Sequence, residues 1–179
     1  MLDFMIIGLP RSGTTWAANL FTTDAVLCHH DPLYHTHYSE WDEKLPTNAG
    51  SAVGVSCTGI WRWTDWLNTH RAKKIILHRD SAEIADSMRH IGLPELDLID
   101  GQQKLDCIIG LHVPHSDLFD PRKCCDLWDY VMGGDVPFNW KRHDMLVDIE
   151  MQPKFSGLSV GKHVTRRLMI ELASAGDEE

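Results

Sequence analysis

The chain has 179 residues and a formal net charge of −9, with 26 Asp and Glu against 17 Lys and Arg. This length suits one domain with a substantial hydrophobic core and is short for two. The acidic balance argues against a protein that coats nucleic acid or an anionic membrane, because both roles need a net basic face. We therefore expect a single domain over residues 1–179, in which local cations hold any anionic ligand.

Neither the cysteines nor the apolar segments indicate export or membrane insertion. The five cysteines are odd in number and lack the C-x-x-C spacing of zinc sites. The N-terminus has no basic region or cleavage site, and no apolar run is long enough to cross a bilayer. These features predict reduced thiols, a cytoplasmic location and no membrane span.

The first element in chain order is an apolar run followed by a glycine-bounded loop and helix-forming residues. Residues 4–7 predict a buried strand, residues 8–16 form the loop, and residues 17–21 continue a helix. In this order of elements, backbone N–H groups of the loop converge on an anion. The sequence therefore predicts a phosphate-binding loop at the tip of the first strand.

The loop differs from an ATP-binding loop at one decisive position. The spacing of Gly8 and Gly13 matches the start of G-x-x-x-x-G-K-[ST], but Thr14 occupies the lysine position. The side chain that reaches the β- and γ-phosphates of ATP is therefore missing, which disfavours a generic ATPase. The cation lies inside the loop instead, at Arg11, whose guanidinium can contact the outer oxygens of an anion.

A second short apolar run at residues 25–28 predicts another buried strand. It is followed by His29, His30 and Asp31, at the carboxyl end where open parallel sheets place their ligand chemistry. Residues 33–51 show no sustained period and predict a loop with about one helical turn.

The same stretch permits a metal-site interpretation. His29, His30, Asp31, His35 and His37 lie close together in the sequence and have metal-ligating side chains. Their spacing is irregular and no cysteine joins them, so this alternative is disfavoured. We expect no metal site.

Residues 52–57 predict a third strand and residues 61–70 a helix. The apolar residues 75–77 predict a buried parallel strand, after which Ser81 and Glu83 are the expected caps of another helix. The later predictions are a helix in 95–111 broken near residues 100–101, a turn at 112–115, a helix over 121–132, and a helix at 140–146 leading into an edge strand at 145–151. The predicted fold is an α/β three-layer sandwich with a mainly parallel sheet, of the P-loop nucleotide-binding type.

Two motifs resemble those of one enzyme family. Residues 10–16, P-R-S-G-T-T-W, resemble the 5′-phosphosulfate loop of sulfotransferases, which use 3′-phosphoadenosine 5′-phosphosulfate (PAPS). Residues 74–90, K-I-I-L-H-R-D-S-A-E-I-A-D-S-M-R-H, resemble the segment in which that family holds the 3′-phosphate with an Arg and a Ser eight positions later. Arg79 and Ser87 have this spacing. Both motifs occur in the expected order, each at a predicted strand-to-helix junction.

The resemblance implies roles for individual residues and requires no divalent metal. Arg11 would neutralise the bridging and leaving oxygens, and Trp16 would pack on the adenine. Asp31 corresponds to the base of protein-tyrosine and related sulfotransferases if one residue is gapped, and His30 is the alternative base. The implied cofactor-binding residues are Pro10, Arg11, Ser12, Gly13, Thr14, Thr15, Trp16, Arg79 and Ser87.

The resemblance thus implies a sulfotransferase that moves a sulfuryl group from PAPS to a hydroxyl or amine of an unidentified acceptor, leaving 3′-phosphoadenosine 5′-phosphate. Two alternatives stay open: a nucleotide or nucleoside kinase, and a non-catalytic nucleotide-binding protein. Thr14 and the Arg79–Ser87 pair disfavour the kinase, whereas the sequence does not separate the enzyme from the non-catalytic protein. Gly134 with residues 140–142, or residues 157–162, are the candidate segments to close over the nucleotide.

Overall fold

A five-stranded parallel sheet forms the centre of the computed structural model, which describes residues 1–47, 51–94 and 96–149. The strands are β1 (Phe4–Gly8), β2 (Val26–His30), β3 (Ala52–Cys57), β4 (Lys73–His78) and β5 (Leu111–Pro114). The α-helices in these ranges are α1 (Thr14–Leu20), α2 (Trp41–Lys44), α3 (Thr64–Thr69), α4 (Ser81–His90), α5 (Leu98–Asp106), α6 (Pro121–Met132) and α7 (Trp140–Val147). The predicted α/β class and parallel sheet are confirmed.

The strand order β2-β3-β1-β4-β5 places β1 in the middle of the sheet. Every pairing of neighbouring strands is parallel. After β1 the chain crosses to β2 on one side, whereas after β4 it continues to β5 on the other side. Ligands of open α/β sheets bind at such a switch point, beyond the carboxyl ends of the strands. The fold therefore draws attention to the crevice between the ends of β1 and β4.

The core occupies both faces of the sheet, as a three-layer arrangement requires. Phe4 and Ile6 pack on the side of α1, α6 and α7, whereas Met5 and Ile7 pack on the side of α3, α4 and α5. This division follows from the alternation of side chains along a strand. Phe4 also needs a glycine next to it, because a Cβ at Gly54 of β3 would overlap its ring.

The fifth strand corrects the sequence analysis. Residues 112–115 were expected to form a turn, but Leu111–Pro114 pairs with Ile75–His78 of β4. This strand is only four residues long and half-buried, and its Pro114 resembled a turn signal. A strand at the edge of a sheet tolerates proline, because one side of such a strand has no hydrogen-bonding partner and the N–H that proline lacks is not needed there.

The helix α5 runs without a break through residues 100–101, where a break was expected. Gly101 is buried against Leu9, and a Cβ there would lie 2.7 Å from a methyl carbon of Leu9. The glycine therefore permits close packing and does not end the helix. Asp97 caps α5 by accepting a hydrogen bond from the N–H of Asp100.

Further boundaries also differ from the sequence-based ones. Asp80, and not Ser81 with Glu83, caps α4 by accepting hydrogen bonds from the N–H groups of residues 82 and 83. The helix expected at 61–70 is a 3₁₀ turn (Ile60–Arg62) followed by α3. The edge strand expected at 145–151 is wrong for residues 145–147, which belong to α7, and residues 150–151 lie outside the described ranges. The helix predicted over 121–132 is confirmed as α6.

No helix in the described ranges is long and apolar enough to pass through a lipid bilayer.

Candidate functional site

The loop between β1 and α1 has the backbone geometry of an anion cradle. Arg11 and Gly13 both adopt positive φ angles, 70° and 87°, on either side of the fully buried Ser12. Backbone that changes hand over successive residues turns its N–H groups toward one concavity. The Ser12 hydroxyl has no hydrogen-bond partner among the described residues, so the loop also buries an unused polar group.

Two hydrogen bonds join the two sequence motifs in space. The Nε of Arg11 donates to the Oγ of Ser87 at 2.8 Å, and the Nη1 of Arg79 donates to the carbonyl oxygen of Arg11 at 2.5 Å. Residues 11 and 87 are 76 positions apart in the chain. The parallel pairing of β1 with β4 brings the two strand ends together and so explains this convergence.

The guanidinium of Arg11 lies in an unfavourable electrostatic environment. Partial burial, and then repulsion from Arg79, lower the pKa of Arg11 below its usual value. Two partly desolvated cations side by side repel each other, and a bound anion would relieve this repulsion. The arrangement fits a ligand that carries negative charge, and it provides local cations in a chain of net charge −9.

Glu83 is a neighbour of Arg79 that the sequence analysis did not recognise. The Nε of Arg79 donates to a carboxylate oxygen of Glu83 at 3.0 Å, while 57% of the Glu83 side chain stays exposed. An exposed ion pair of this kind stabilises a protein by about 0–1 kcal/mol, so an incoming anion can displace it at low cost. The signal for this contact was the i, i+4 spacing of Arg79 and Glu83.

The other side of the loop is anchored to β2 and β3. The Ser56 hydroxyl donates to the carbonyl oxygen of Thr14 at 2.7 Å. The Oγ1 of Thr15 lies 3.1 Å from the Nε2 of His30, which links the loop to the end of β2. His30 thus lies beside the cradle, as the sequence order of loop and second strand suggested.

Trp16 belongs to the core and not to the open part of the site. Only 5% of it is exposed, its ring packs against Phe119 and His143, and its indole N–H donates to the carbonyl oxygen of Leu146 at 3.0 Å. This burial does not support the expected packing of Trp16 on an adenine ring. Local sequence carries no signal of this burial, because all three partners lie more than 100 positions later in the chain.

Asp31 is buried and committed to local structure. It has a positive φ of 45°, and one of its carboxylate oxygens accepts hydrogen bonds from the N–H (2.6 Å) and the hydroxyl (3.0 Å) of Thr58. The other oxygen lies 3.4 Å from the Nε2 of His30. Burial, followed by the charge of Asp31, raises the pKa of the neighbouring Cys57 thiol to about 12. Asp31 therefore links the end of β2 to Thr58 through hydrogen bonds and contacts His30.

His30 is the more accessible member of this pair, with 33% of its side chain exposed against 10% for Asp31. Its pKa is lowered by burial, and the charge of Asp31 opposes this effect only in part. A histidine with a lowered pKa is neutral at pH 7 and can accept a proton. Of the two base candidates, His30 has the better combination of access and protonation state.

Other predicted residues do not join the site. The Nε2 of His29 contacts the carbonyl oxygen of Pro46 at 2.9 Å, and the Nδ1 of His37 contacts the Ser39 hydroxyl at 2.8 Å. Of the segments expected to close over a nucleotide, residues 140–142 lie in α7, where the Arg142 guanidinium donates to the carbonyl oxygen of Asn19. The second of these segments, 157–162, lies outside the described residues.

Comparisons of the chain with protein-family models, curated proteins and solved structures found no match. Any functional interpretation therefore depends on the residues of the site and on the two motifs that supply them. Those residues are a cradle with an internal arginine, a second arginine beside it, and a histidine–carboxylate pair at the neighbouring strand end.

Proposed function

We propose that the chain binds PAPS between the ends of β1 and β4 and transfers its sulfuryl group to a hydroxyl or amine acceptor. The observation that carries this proposal is the pair of hydrogen bonds linking Arg11 to Ser87 and Arg79. By the resemblance to sulfotransferases, Arg11 belongs to the 5′-phosphosulfate loop, whereas Arg79 and Ser87 belong to the 3′-phosphate segment. One PAPS molecule must contact both segments at the same time.

Each group has a defined task in the proposed reaction. PAPS supplies the sulfuryl group and, when this group departs, a phosphate leaving group. Arg11 stabilises the negative charge that develops on the leaving oxygen, and the loop N–H groups hold the phosphate in line with the acceptor. Arg79 and Ser87 bind the 3′-phosphate, for which Arg79 exchanges the carboxylate of Glu83.

His30 is the proposed base. As the sulfur–oxygen bond to the acceptor forms and the bond to the phosphate oxygen breaks, the acceptor proton passes to the imidazole of His30. Asp31 holds this imidazole and stabilises the imidazolium, while the donors from Thr58 keep the carboxylate in place. The proposal thus assigns to His30 the role that the sequence resemblance favoured for Asp31.

Calorimetric titration tests the cofactor assignment. We expect tighter binding of 3′-phosphoadenosine 5′-phosphate than of AMP or of ATP with Mg²⁺. In Arg79→Ala, the affinity for the bisphosphate should fall by about 10- to 100-fold, because a hydrogen bond to a charged group contributes roughly 1.5–3 kcal/mol. The affinity for AMP should change little. The matched control is Arg89→Ala, which removes an exposed arginine of α4, the helix that follows Arg79, where it pairs with Asp86.

The outcomes separate the candidate functions. A preference for ATP with Mg²⁺ would indicate a kinase, and equal losses for both nucleotides in Arg79→Ala would contradict the 3′-phosphate assignment. Transfer from ³⁵S-labelled PAPS to phenol, sugar and amine acceptors then tests catalysis. His30→Asn should lower the rate by about 10²- to 10⁴-fold, the usual contribution of a general base. Tight binding without transfer to any acceptor would indicate the non-catalytic protein.

A further inference from the structure

A second group of chemically active side chains lies beside the carboxyl end of β4 and is not used by the proposed reaction. It consists of His78, the last residue of β4, Asp106, the last residue of α5, and His112 of β5. One potential ligand atom from each lies within 4.8 Å of the other two. Among the residues of the ranges 1–47, 51–94 and 96–149, no other group of three potential ligands meets this condition.

The sheet itself brings the two histidines together. His112 pairs with Ile76, and His78 is two residues further along β4, so both imidazoles lie on the same face of neighbouring strands. The ring centroids lie 5.1 Å apart, and the Nε2 of His78 lies 2.8 Å from the Nδ1 of His112, so the two rings meet edge to edge. This contact is the centre of the group.

The hydrogen bonds of His112 determine which of its nitrogens carries a proton. Its Nε2 lies 2.7 Å from the carbonyl oxygen of Ile108. A carbonyl oxygen only accepts hydrogen bonds, so this Nε2 must be the N–H donor. In the neutral ring, the Nδ1 that faces His78 then has a bare lone pair.

The same reasoning applies to His78. Its Nδ1 lies 3.3 Å from the Oε1 of Gln102 and 3.8 Å from a carboxylate oxygen of Asp106. The amide of Gln102 is oriented by its Nε2, which donates to the carbonyl oxygen of Arg79, so it presents an oxygen to His78. The Gln102 oxygen is an acceptor within hydrogen-bond distance of this Nδ1, which makes it the N–H donor. In the neutral ring, the Nε2 of His78 has a bare lone pair as well.

Two lone pairs therefore face each other at 2.8 Å, and this arrangement needs a positive charge between them. We propose that His78, His112 and Asp106 bind a divalent transition-metal ion of the Zn²⁺ type. Ligating histidines usually donate their second N–H to a carbonyl or carboxylate oxygen, and both histidines already do so. A shared proton would satisfy the two lone pairs but would need no third ligand, whereas Asp106 offers one. The site departs from the sequence-based expectation of no metal.

Coordination requires the two rings to separate and turn, and the Asp106 carboxylate to move from the Nδ1 side of His78 toward its Nε2. With Zn–N distances of about 2.0–2.1 Å and tetrahedral angles, two ligating nitrogens lie about 3.3 Å apart. The two rings must therefore separate by roughly half an ångström from their present contact. The side chains of His78 and Asp106 are 27% and 69% exposed, so both have room to move and water can complete the coordination. Imidazole with a carboxylate suits Zn²⁺ and its neighbours in the first transition row.

The test is calorimetric titration of the chelator-treated protein with Zn²⁺, followed by the absorption spectrum with Co²⁺. We expect one ion per chain. His112→Gln should lower the affinity by about 100-fold or more, since even outer-shell partners of a metal contribute about 10- to 100-fold. Asp106→Asn should weaken binding by about 10-fold.

Two control variants should bind Zn²⁺ like the unaltered chain. His90→Gln removes an exposed histidine at the end of α4, and Cys107→Ser removes the exposed thiol next to Asp106. The far-UV circular dichroism of every variant must match that of the unaltered chain. Absence of saturable binding, an unchanged affinity in His112→Gln, or loss of binding in Cys107→Ser would each overturn the proposed site.

Discussion

Replacing Glu83 by Gln should strengthen the binding of 3′-phosphoadenosine 5′-phosphate. The carboxylate of Glu83 occupies one edge of the Arg79 guanidinium, at 3.0 Å from its Nε. The proposed 3′-phosphate must share Arg79 with this carboxylate or displace it. The substitution removes the competing charge and keeps the size and polarity of the side chain, so it leaves the shape of the site unchanged.

Two contributions set the size of the effect. Releasing an exposed i, i+4 ion pair costs about 0.3–0.5 kcal/mol. A phosphate dianion at the opposite edge of the guanidinium lies roughly 6 Å from the carboxylate, which gives about 1.4 kcal/mol of repulsion in water. A Debye length of about 8 Å at physiological salt reduces this repulsion to about 0.7 kcal/mol. Only one of these contributions applies in a given complex, because the carboxylate is either displaced or stays beside the phosphate. The expected gain is therefore about 0.3–0.7 kcal/mol, or roughly two- to three-fold in affinity, and about ten-fold at low salt if the carboxylate stays.

The assay is titration with the bisphosphate and with AMP at two salt concentrations. The control is Asp86→Asn, which removes one negative charge from the same helix but belongs to the ion pair with Arg89. Glu83→Gln should improve bisphosphate binding and leave AMP binding nearly unchanged, since AMP lacks the 3′-phosphate. An equal gain for both nucleotides, or an equal gain in the control, would refute the placement of the 3′-phosphate at Arg79.

The remaining predictions concern the loop, the core and the histidines. Arg11→Ala should lower the rate of sulfuryl transfer more than the affinity for the bisphosphate, and a larger loss of affinity would contradict its role at the leaving oxygen. Gly54→Ala should lower the free energy of unfolding in urea by about 1–3 kcal/mol, because the new methyl group overlaps the buried ring of Phe4; a loss under about 0.5 kcal/mol would show that the ring can move aside. The pKa of a histidine is lowered by burial at three positions, His30, His70 and His115. The unfolded chain binds these protons more tightly, so the free energy of unfolding should be greatest above about pH 6.5 and should decrease as the pH drops below this value. Urea unfolding at pH 5, 6 and 7.5 checks this prediction. A free energy of unfolding that does not change with pH would contradict it.

The sequence was most informative where the determining signals are local. The apolar runs of β1, β3 and β4, and the loop around Arg11, are each specified by a few consecutive residues, and the structure contains those strands as expected. The meeting of the loop with Arg79 followed from a parallel sheet alone, because parallel strands end at the same edge.

The sequence was less informative where a partner comes from a distant part of the chain. The sequence predicts Asp31 as an available carboxylate at a strand end. In the structure, the N–H and the hydroxyl of Thr58, 27 positions later, donate hydrogen bonds to one of its oxygens. The core partners of Trp16 are more than 100 positions away, at Phe119, His143 and Leu146. Local pattern cannot specify such contacts, and those of Trp16 with His143 and Leu146 depend on how α7 packs on α1.

The missed strand β5 had the largest consequence. With residues 112–115 interpreted as a turn, His112 had no reason to lie beside His78. The register of β4 with β5 is what places the two imidazoles on one face. The histidines at 29–37 are close in sequence but do not form one cluster in space. His29 contacts Pro46, and His37 contacts Ser39.

The two proposed sites share one segment of backbone, and this predicts that they influence each other. His78 and Arg79 are consecutive, and the amide of Gln102 bridges the His78 ring and the Arg79 carbonyl. Bound Zn²⁺ brings two positive charges roughly 10 Å from the 3′-phosphate, and each favours a dianion by about 0.8 kcal/mol before salt screening.

Saturating Zn²⁺ should therefore raise the affinity for the bisphosphate about two-fold after screening. By linkage, the bisphosphate should raise the affinity for Zn²⁺ by the same factor. The effect should be smaller for AMP and absent in His112→Gln. Weaker bisphosphate binding with Zn²⁺, or an equal effect in His112→Gln, would show that the metal acts elsewhere on the chain.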